Sequence, residues 1–277
     1  MKGKNMVRIG LAQTKILWED VEGNKKRASE FFQKAKENAV ELLVFPEMSL
    51  TGFSMNVEKT TENWEEQVDF FRQMSDQYKM TVVFGCAAPV MDEDREPAKE
   101  KRNYENHLFV AENGKIRMDY RKIHPFTYGQ EGEYFQGGKQ IITMDWKENV
   151  LGAFVCYDLR FPEIFQISSE KSHLIVVIAN WPETRIGQWD CLLQARAIEN
   201  QCFIAGVNRT GEGGGLRYNG HSALYGPRGE RMTVLCEEES LLIGDLDFGK
   251  TEKLRKDFPV KKDRKEALYS KNSLLCV

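Results

Sequence analysis

Five short runs in this chain are almost wholly apolar: "LLVF" (42–45), "TVVFG" (81–85), "LGAFV" (151–155), "LIVVI" (174–178) and "FIAGV" (203–207). A strand with water on one face alternates apolar and polar residues. An unbroken apolar run of this length reads instead as a strand covered on both faces. Stretches with helical spacing lie between these runs. Residues 21–38 place Ala28, Phe31, Phe32 and Ala35 on one side, with Asp20 as the N-cap. Trp64, Val68, Phe71, Met74 and Tyr78 form a second stripe, read as core packing and not as a cofactor box. A third helix fits 188–200, with Leu192, Leu193, Ala195, Ala197 and Ile198 turned inward. Strands alternating with covering helices define an α/β protein. Further strands are expected at 7–13, 41–47, 140–144 and 241–247. Asn113-Gly114 predicts a hairpin turn, and "YGPRGE" (225–230) a second one, so the sheets are mixed.

No internal repeat, low-complexity linker or composition break divides the chain, so residues 1–277 read as a single domain. The charged segment "MDEDREPAKEKR" (91–102) is expected as a solvated loop. The charged tail from about 250 is expected to pack late or at an interface with a partner subunit. A net charge of −3 argues against nucleic acid or an anionic membrane as the main partner. The N-terminal "MKGKNMVRIGLAQ" lacks the apolar run of a signal peptide, and no stretch is long enough to span a bilayer, so a cytoplasmic protein is expected. Cys86, Cys156, Cys191, Cys202, Cys236 and Cys276 show no CxxC spacing and no local histidine partner. Free thiols, mostly small core residues, are expected, with no metal and no cofactor.

Three reactive residues stand where apolar strands stop. Glu47 ends "ELLVFPE", Lys122 ends "IRMDYRK", and Cys156 ends "LGAFVC", where the chain turns at once into "YDLRFPE". Strand ends are rigid mounts, and several can converge on one sheet edge. A thiol is a nucleophile as thiolate, so a base must take its proton. A partly buried carboxylate such as Glu47 can do so. Attack on a carbonyl or nitrile carbon develops negative charge, which the Lys122 ammonium and the Tyr157 backbone N–H can stabilise. The set is complete for acyl transfer without metal or histidine. Asp158, Arg160 and Glu163 are assigned to holding the turn.

The same residues carry a family resemblance. "LLVFPEMSLTGF", "YRKIHPF" and "VCYDLRFPE" resemble the glutamate, lysine and cysteine motifs of the nitrilase, or carbon–nitrogen hydrolase, superfamily. The likeness continues through "ANWPETR", "LLQARAIENQCFIAGVNRTG" and "GHSALYGPRGE", from residue 7 to about 247. It implies a four-layer α-β-β-α sandwich, usually paired into homodimers or higher homo-oligomers. It implies a triad of Glu47 (general base), Lys122 and Cys156 (nucleophile). A second family glutamate falls on Glu131 in "GQEGEYFQGG", with Glu133 as competitor.

"CYDLRFPE", "NWPETR" and "ARAIENQ" resemble the omega-amidase branch, which implies hydrolysis of the terminal amide of short dicarboxylic monoamides such as 2-oxoglutaramate. A substrate that keeps one carboxylate needs a cation. Arg185 is the first candidate and Arg160 the second, with Trp181 as an apolar wall. The charged segment at 91–102 and the glycine-rich "GEGGGLRYNG" depart from the pattern and can reshape access. An N-carbamoyl amide hydrolase is the alternative within the superfamily. A cysteine–histidine hydrolase using His107, His124, His173 or His221, and a non-catalytic binding protein, are the alternatives outside it.

Overall fold

The structure, a computed structural model, describes residues 6–91 and 103–269. Its first half runs β1 (Met6–Gln13), α1 (Val21–Glu37), β2 (Leu42–Val44), α2 (Val57–Thr61), α3 (Trp64–Tyr78), β3 (Thr81–Pro89), β4 (Tyr104–Glu112) and β5 (Lys115–Arg121). After α4 (Glu131–Tyr134) come β6 (Thr143–Trp146), β7 (Asn149–Val155), α5 (Pro162–Ser168), β8 (Leu174–Ala179), α6 (Ile186–Asn200) and β9 (Phe203–Asn208). The chain closes with β10 (Thr210–Gly213), β11 (Leu216–Asn219), β12 (Ala223–Tyr225), β13 (Ser240–Asp247), α7 (Gly249–Asp257) and α8 (Glu266–Tyr269). One sheet has the order β13-β1-β2-β3-β4-β5 and the other β12-β9-β8-β7-β6, while β10 and β11 pair alone. Both large sheets mix parallel and antiparallel pairs, as the hairpins predict.

The apolar runs are explained by where alternate residues go. In β2, Leu42 and Val44 enter the core between the sheets, while Leu43, like Phe45 just beyond, enters a separate core under α1 and α3. In β3, Val83 faces inward while Val82 and Phe84 face the helices. The helix side is aromatic: Phe71 of α3 stacks on Phe84 with ring centroids 4.3 Å apart. On the second sheet, Phe165 of α5 packs on Phe154, and Trp189 and Leu193 of α6 lie so close that a Cβ on Gly206 of β9 would sit 2.4 Å from a Leu193 methyl. The order helix, sheet, sheet, helix is thus built by strands with two apolar faces. Asp20 caps α1 as expected, accepting from the Gly23 N–H at 2.9 Å.

Several elements differ from the sequence reading. The strand expected at 140–144 lies at Thr143–Trp146 and pairs with β7. Its turn is Lys147-Glu148, both with positive φ (47° and 62°), a hairpin geometry that carries no Asn-Gly or Gly signal. The strand expected at 41–47 is regular over Leu42–Val44 alone, because Pro46 and the positive φ of Met48 turn the chain. "YGPRGE" forms a tight turn closed by a single bridge between Tyr225 and Arg231. The glycine-rich segment at 211–220 folds as most of the β10–β11 hairpin. The first part of the tail packs on its own chain: Leu254 is buried, and Arg255 donates to the carbonyls of Ser169, Ser172 and Gln201. Residues 92–102, Cys276 and the tail beyond 269 lie outside the described residues. Among the described cysteines, Cys86 and Cys202 are core residues, Cys191 is exposed, and Cys156 and Cys236 are half-buried. No described helix is long and apolar enough to cross a membrane.

Burial pushes the Cys86 and Cys202 thiols up to about 12 from 9.0. A folded pKa above the unfolded one contributes stability that is full below pH 9 and is lost as pH rises towards 12. Unfolding free energy measured by urea titration is expected to fall over this window. Cys202→Ala is expected to flatten the fall by up to about 1.4 kcal/mol per pH unit; parallel slopes for variant and wild type would contradict the assignment.

Candidate active site

Glu47 follows the β2 strand end and is fully buried. Its backbone is wedged against β3. A Cβ on Gly85 would lie 2.5 Å from the Met48 nitrogen and 2.8 Å from the Glu47 Cα, so glycine is needed for the close approach. The Ser49 hydroxyl locks the turn, accepting from the Gly85 N–H at 3.0 Å and donating to the Pro46 carbonyl at 2.6 Å. Glu47 Oε1 accepts from Lys122 Nζ at 3.1 Å and from Asn106 Nδ2 at 2.7 Å. Its Oε2 accepts from the Asn180 backbone N–H at 2.9 Å, and Asn180 Nδ2 donates to the Glu47 carbonyl at 2.6 Å.

Lys122, one residue past β5, is also buried, and its ammonium lies between two carboxylates. The second is Glu131, in the first turn of α4, whose Oε2 accepts from Nζ at 2.8 Å. Glu131 also accepts from Asn106 Nδ2 at 2.9 Å and from the Phe126 N–H. Glu133, the other candidate for this place, is exposed. Burial pulls the Lys122 ammonium down, but Glu131 and then Glu47 outweigh it and hold it above the ordinary lysine range. Burial likewise raises Glu131 above the usual carboxylate range, with Lys122 opposing the rise.

Cys156 begins a 3₁₀ turn (Cys156–Arg160) at the end of β7, with φ +46°. A cysteine in this left-handed region is strained and needs its surroundings to hold it there. Asp158 supplies that hold and is fully buried. Its Oδ2 accepts from the Tyr120 hydroxyl at 2.8 Å and the Val155 N–H at 3.1 Å. Its Oδ1 accepts from the His124 N–H at 3.0 Å and pairs with His124 Nδ1 at 2.8 Å. One carboxylate therefore ties the cysteine turn to the segment that carries Lys122. The Cys156 thiol is pushed well above its ordinary value by burial first and the Glu47 charge second; Lys122 and the Asn180 N–H oppose the rise. The surroundings of the sulfur thus favour its neutral form.

Cys156, Lys122 and Asn180 line one small cavity of about 50 Å3, together with Tyr157, Trp181 and Arg185. Phe53, Phe126, Leu216 and Tyr218 complete its apolar walls, and Arg160 stands on its rim. Arg160 is engaged: it lies 4.9 Å over Trp181 and donates to Gln188. The Arg185 guanidinium lies 5.4 Å over the Phe126 ring, and among the described residues no carboxylate pairs with it. His124 stacks on Phe161 and pairs with Asp158. Neither it nor His107, His173 or His221 lines the cavity, which removes the basis for a cysteine–histidine arrangement. No group of three or more His, Cys, Asp or Glu is placed to hold a metal ion among the described residues.

Lys122, Cys156, Tyr157, Trp181 and Arg185 therefore line one cavity, with Glu47 and Glu131 bonded to Lys122, while Glu133 and the four histidines lie outside its lining. The sequence reading missed Asn106 and Asn180. Asn180 carried a signal, since it directly follows the apolar strand β8. Asn106 carried none: it sits inside β4, flanked by Glu105 and His107, and the role of such a position emerges once the sheet is formed.

The fold is shared with solved structures. XC1258 from Xanthomonas campestris, described as a CN-hydrolase superfamily protein with an arsenic adduct in its active site, superposes with a TM-score of 0.84 at 28% identity, covering 94% of this chain and 98% of that one. The layered sandwich is thus that of the nitrilase superfamily. Residues 8–256 match the carbon–nitrogen hydrolase family, and the chain belongs to it. A 2-oxoglutaramate amidase of Bacillus subtilis is 28% identical over 89% of this chain and 93% of its own length. The omega-amidase YafV of Escherichia coli is 28% identical over 94% of this chain and 97% of its own. The chain is a hydrolase acting on carbon–nitrogen amide bonds.

Gly85→Ala tests the wedge. Backbone displacement at Glu47 is expected to cost about 1–3 kcal/mol of stability. If Glu47 takes part in the reaction, kcat is expected to fall by roughly a hundredfold with little change in KM, because the carboxylate is displaced. Steady-state kinetics of the folded variant read both, and full activity would show that the contact does not position Glu47.

Proposed function

We propose that this enzyme hydrolyses the terminal amide of short dicarboxylic monoamides, of the 2-oxoglutaramate or 2-oxosuccinamate type, to the acid and ammonia through a cysteine thioester. The observation that carries the reading is the buried Glu47–Lys122–Glu131 cluster, whose Lys122 lines a cavity together with Cys156 and with Arg185, which has no carboxylate partner among the described residues. Glu47 takes the thiol proton as Cys156 sulfur attacks the amide carbon. Lys122 and the Tyr157 N–H stabilise the oxyanion. The carbon–nitrogen bond breaks as Glu47 returns the proton to the leaving ammonia, which leaves an acyl thioester. Water, deprotonated by the same carboxylate, then adds to the thioester carbon and expels the thiolate. The thiolate recovers its proton, and the acid departs. Glu131 holds Lys122 in place and keeps it charged.

Arg185 binds the substrate's remaining carboxylate, and Trp181 and the aromatic walls limit its length. The names of the Bacillus and Escherichia relatives support this substrate class. The groove lined by Pro162, Ile198, Phe258, Val260 and Tyr269, where the tail meets α5 and α6, is read as the interface between two copies of the chain.

Ammonia release from 2-oxoglutaramate and succinamate, measured beside N-carbamoyl compounds, tests the reading. Cys156→Ala is expected to abolish it, and mass spectrometry of quenched enzyme is expected to show a single acyl adduct on Cys156. Arg185→Ala is expected to raise KM for the acid amides about ten- to a hundredfold while retaining most of kcat. Release of carbon dioxide with the ammonia would identify the carbamoyl hydrolase instead. Light scattering of the purified chain is expected to give a dimer or a multiple of it, and a monomer at micromolar concentration would remove the interface.

A further inference from the structure

The β10–β11 hairpin forms part of the cavity wall, and it is built unusually. Gly214 and Gly215 make its turn with φ of 57° and 75°. A Cβ on Gly213 would lie 2.3 Å from the Trp18 ring, so the glycine face of the hairpin is pressed against that indole. Side chains two apart on β11 share a face. Leu216 and Tyr218 are such a pair, and both line the cavity that holds Cys156.

Tyr218 is held on several sides. Its backbone pairs with Gly211 across the hairpin. Its ring is covered by the guanidinium of fully buried Arg209, 4.5 Å from the ring centroid. Arg209 is itself anchored on the carbonyls of Ile16 (2.7 Å) and Glu212 (2.9 Å). The hairpin is also tied to the turn that carries Arg185, through Arg217 Nε and Glu183 Oε2 at 3.6 Å. Tyr218 and Arg185 thus belong to one wall.

Tyr218 is nearly fully buried as a residue, at 3% exposure, but its hydroxyl is not sealed off: it keeps access to the cavity, and among the described residues no group hydrogen-bonds it. A tyrosine hydroxyl in a largely buried wall normally finds a partner, and the side open to this one is the cavity. Burial pushes the phenol up to about 12, so it stays a neutral donor across the working pH range. By contrast, Lys122 and the Asn180 N–H at the reacting end already have acceptors.

We propose that Tyr218 is a specificity-determining residue whose hydroxyl donates a hydrogen bond to an oxygen at the acid end of the substrate, beside Arg185. This rests on the acid-amide reading above and deepens it. An amide with an apolar end covers the hydroxyl without offering it an acceptor, so the site selects against it even where the shape fits. Leu216 packs beside the same end, and the Trp18 clamp keeps the glycine hairpin from swinging away.

The test compares wild type and Tyr218→Phe on succinamate and on 4-methylpentanamide, its uncharged isostere. The variant keeps the ring over Arg209, so an unchanged melting temperature is expected. For succinamate, kcat/KM is expected to fall about tenfold, mainly through KM. For 4-methylpentanamide it is expected to stay level or rise. Succinate binding to Cys156→Ala, followed by calorimetry, is expected to weaken about tenfold when Tyr218→Phe is added. Equal losses on both amides, or no loss on either, would overturn the proposal while leaving the acid-amide reading intact. A wild-type enzyme that does not prefer succinamate over the isostere would overturn both, and that result is seen before any variant is made.

Discussion

A lysine ammonium held between two buried carboxylates is the contact on which the site depends. Three formal charges in a dry interior are stable together and unstable apart. Burial pulls the Lys122 ammonium down and the two carboxylates hold it up, while burial raises Glu131 and Lys122 opposes that rise. Asn106 bridges both carboxylates with one amide nitrogen and so fixes the distance between them. The cluster carries one net negative charge when all its members are ionised, and the Cys156 thiol beside it is held protonated.

The second fixed point is Asp158, which takes hydrogen bonds from both sheets and from the segment after Lys122. It holds the cysteine turn in a backbone conformation that the residue would not choose. The sequence reading assigned Asp158 a structural role, and the geometry gives that role its content. His124, a chemically plausible base by residue type, is spent on Asp158 and on the Phe161 ring.

What was legible in the sequence follows from how local each signal is. The runs at β2, β3, β7, β8 and β9 were visible because both faces of each strand are apolar, which leaves a mark within five residues. Glu47 and Cys156 were visible because reactive side chains stood where two of those marks ended, and Lys122 because it closes the second strand of the Asn113-Gly114 hairpin. The β6 strand, expected at 140–144, was misplaced because the turn that sets its register, Lys147-Glu148, adopts a geometry usually signalled by glycine or asparagine. Asn106 was invisible because its partners stand 59 and 25 residues away. Tyr218 was hidden for the same reason: its segment read as a glycine-rich departure, and its meaning depends on Trp18 and Arg209 from elsewhere in the chain.

The division of labour between the sheets bears on how the enzyme comes alive. Glu47 and Lys122 belong to the first sheet, Cys156 and Asn180 to the second, and the bonds from Asn180 to Glu47 and from Tyr120 to Asp158 cross between them. Neither half holds a working centre alone. A chain emerging from the ribosome therefore carries an inert sulfur until its later strands have docked onto the earlier ones. Recovery of turnover during refolding then reports that final docking event, and not the formation of either half.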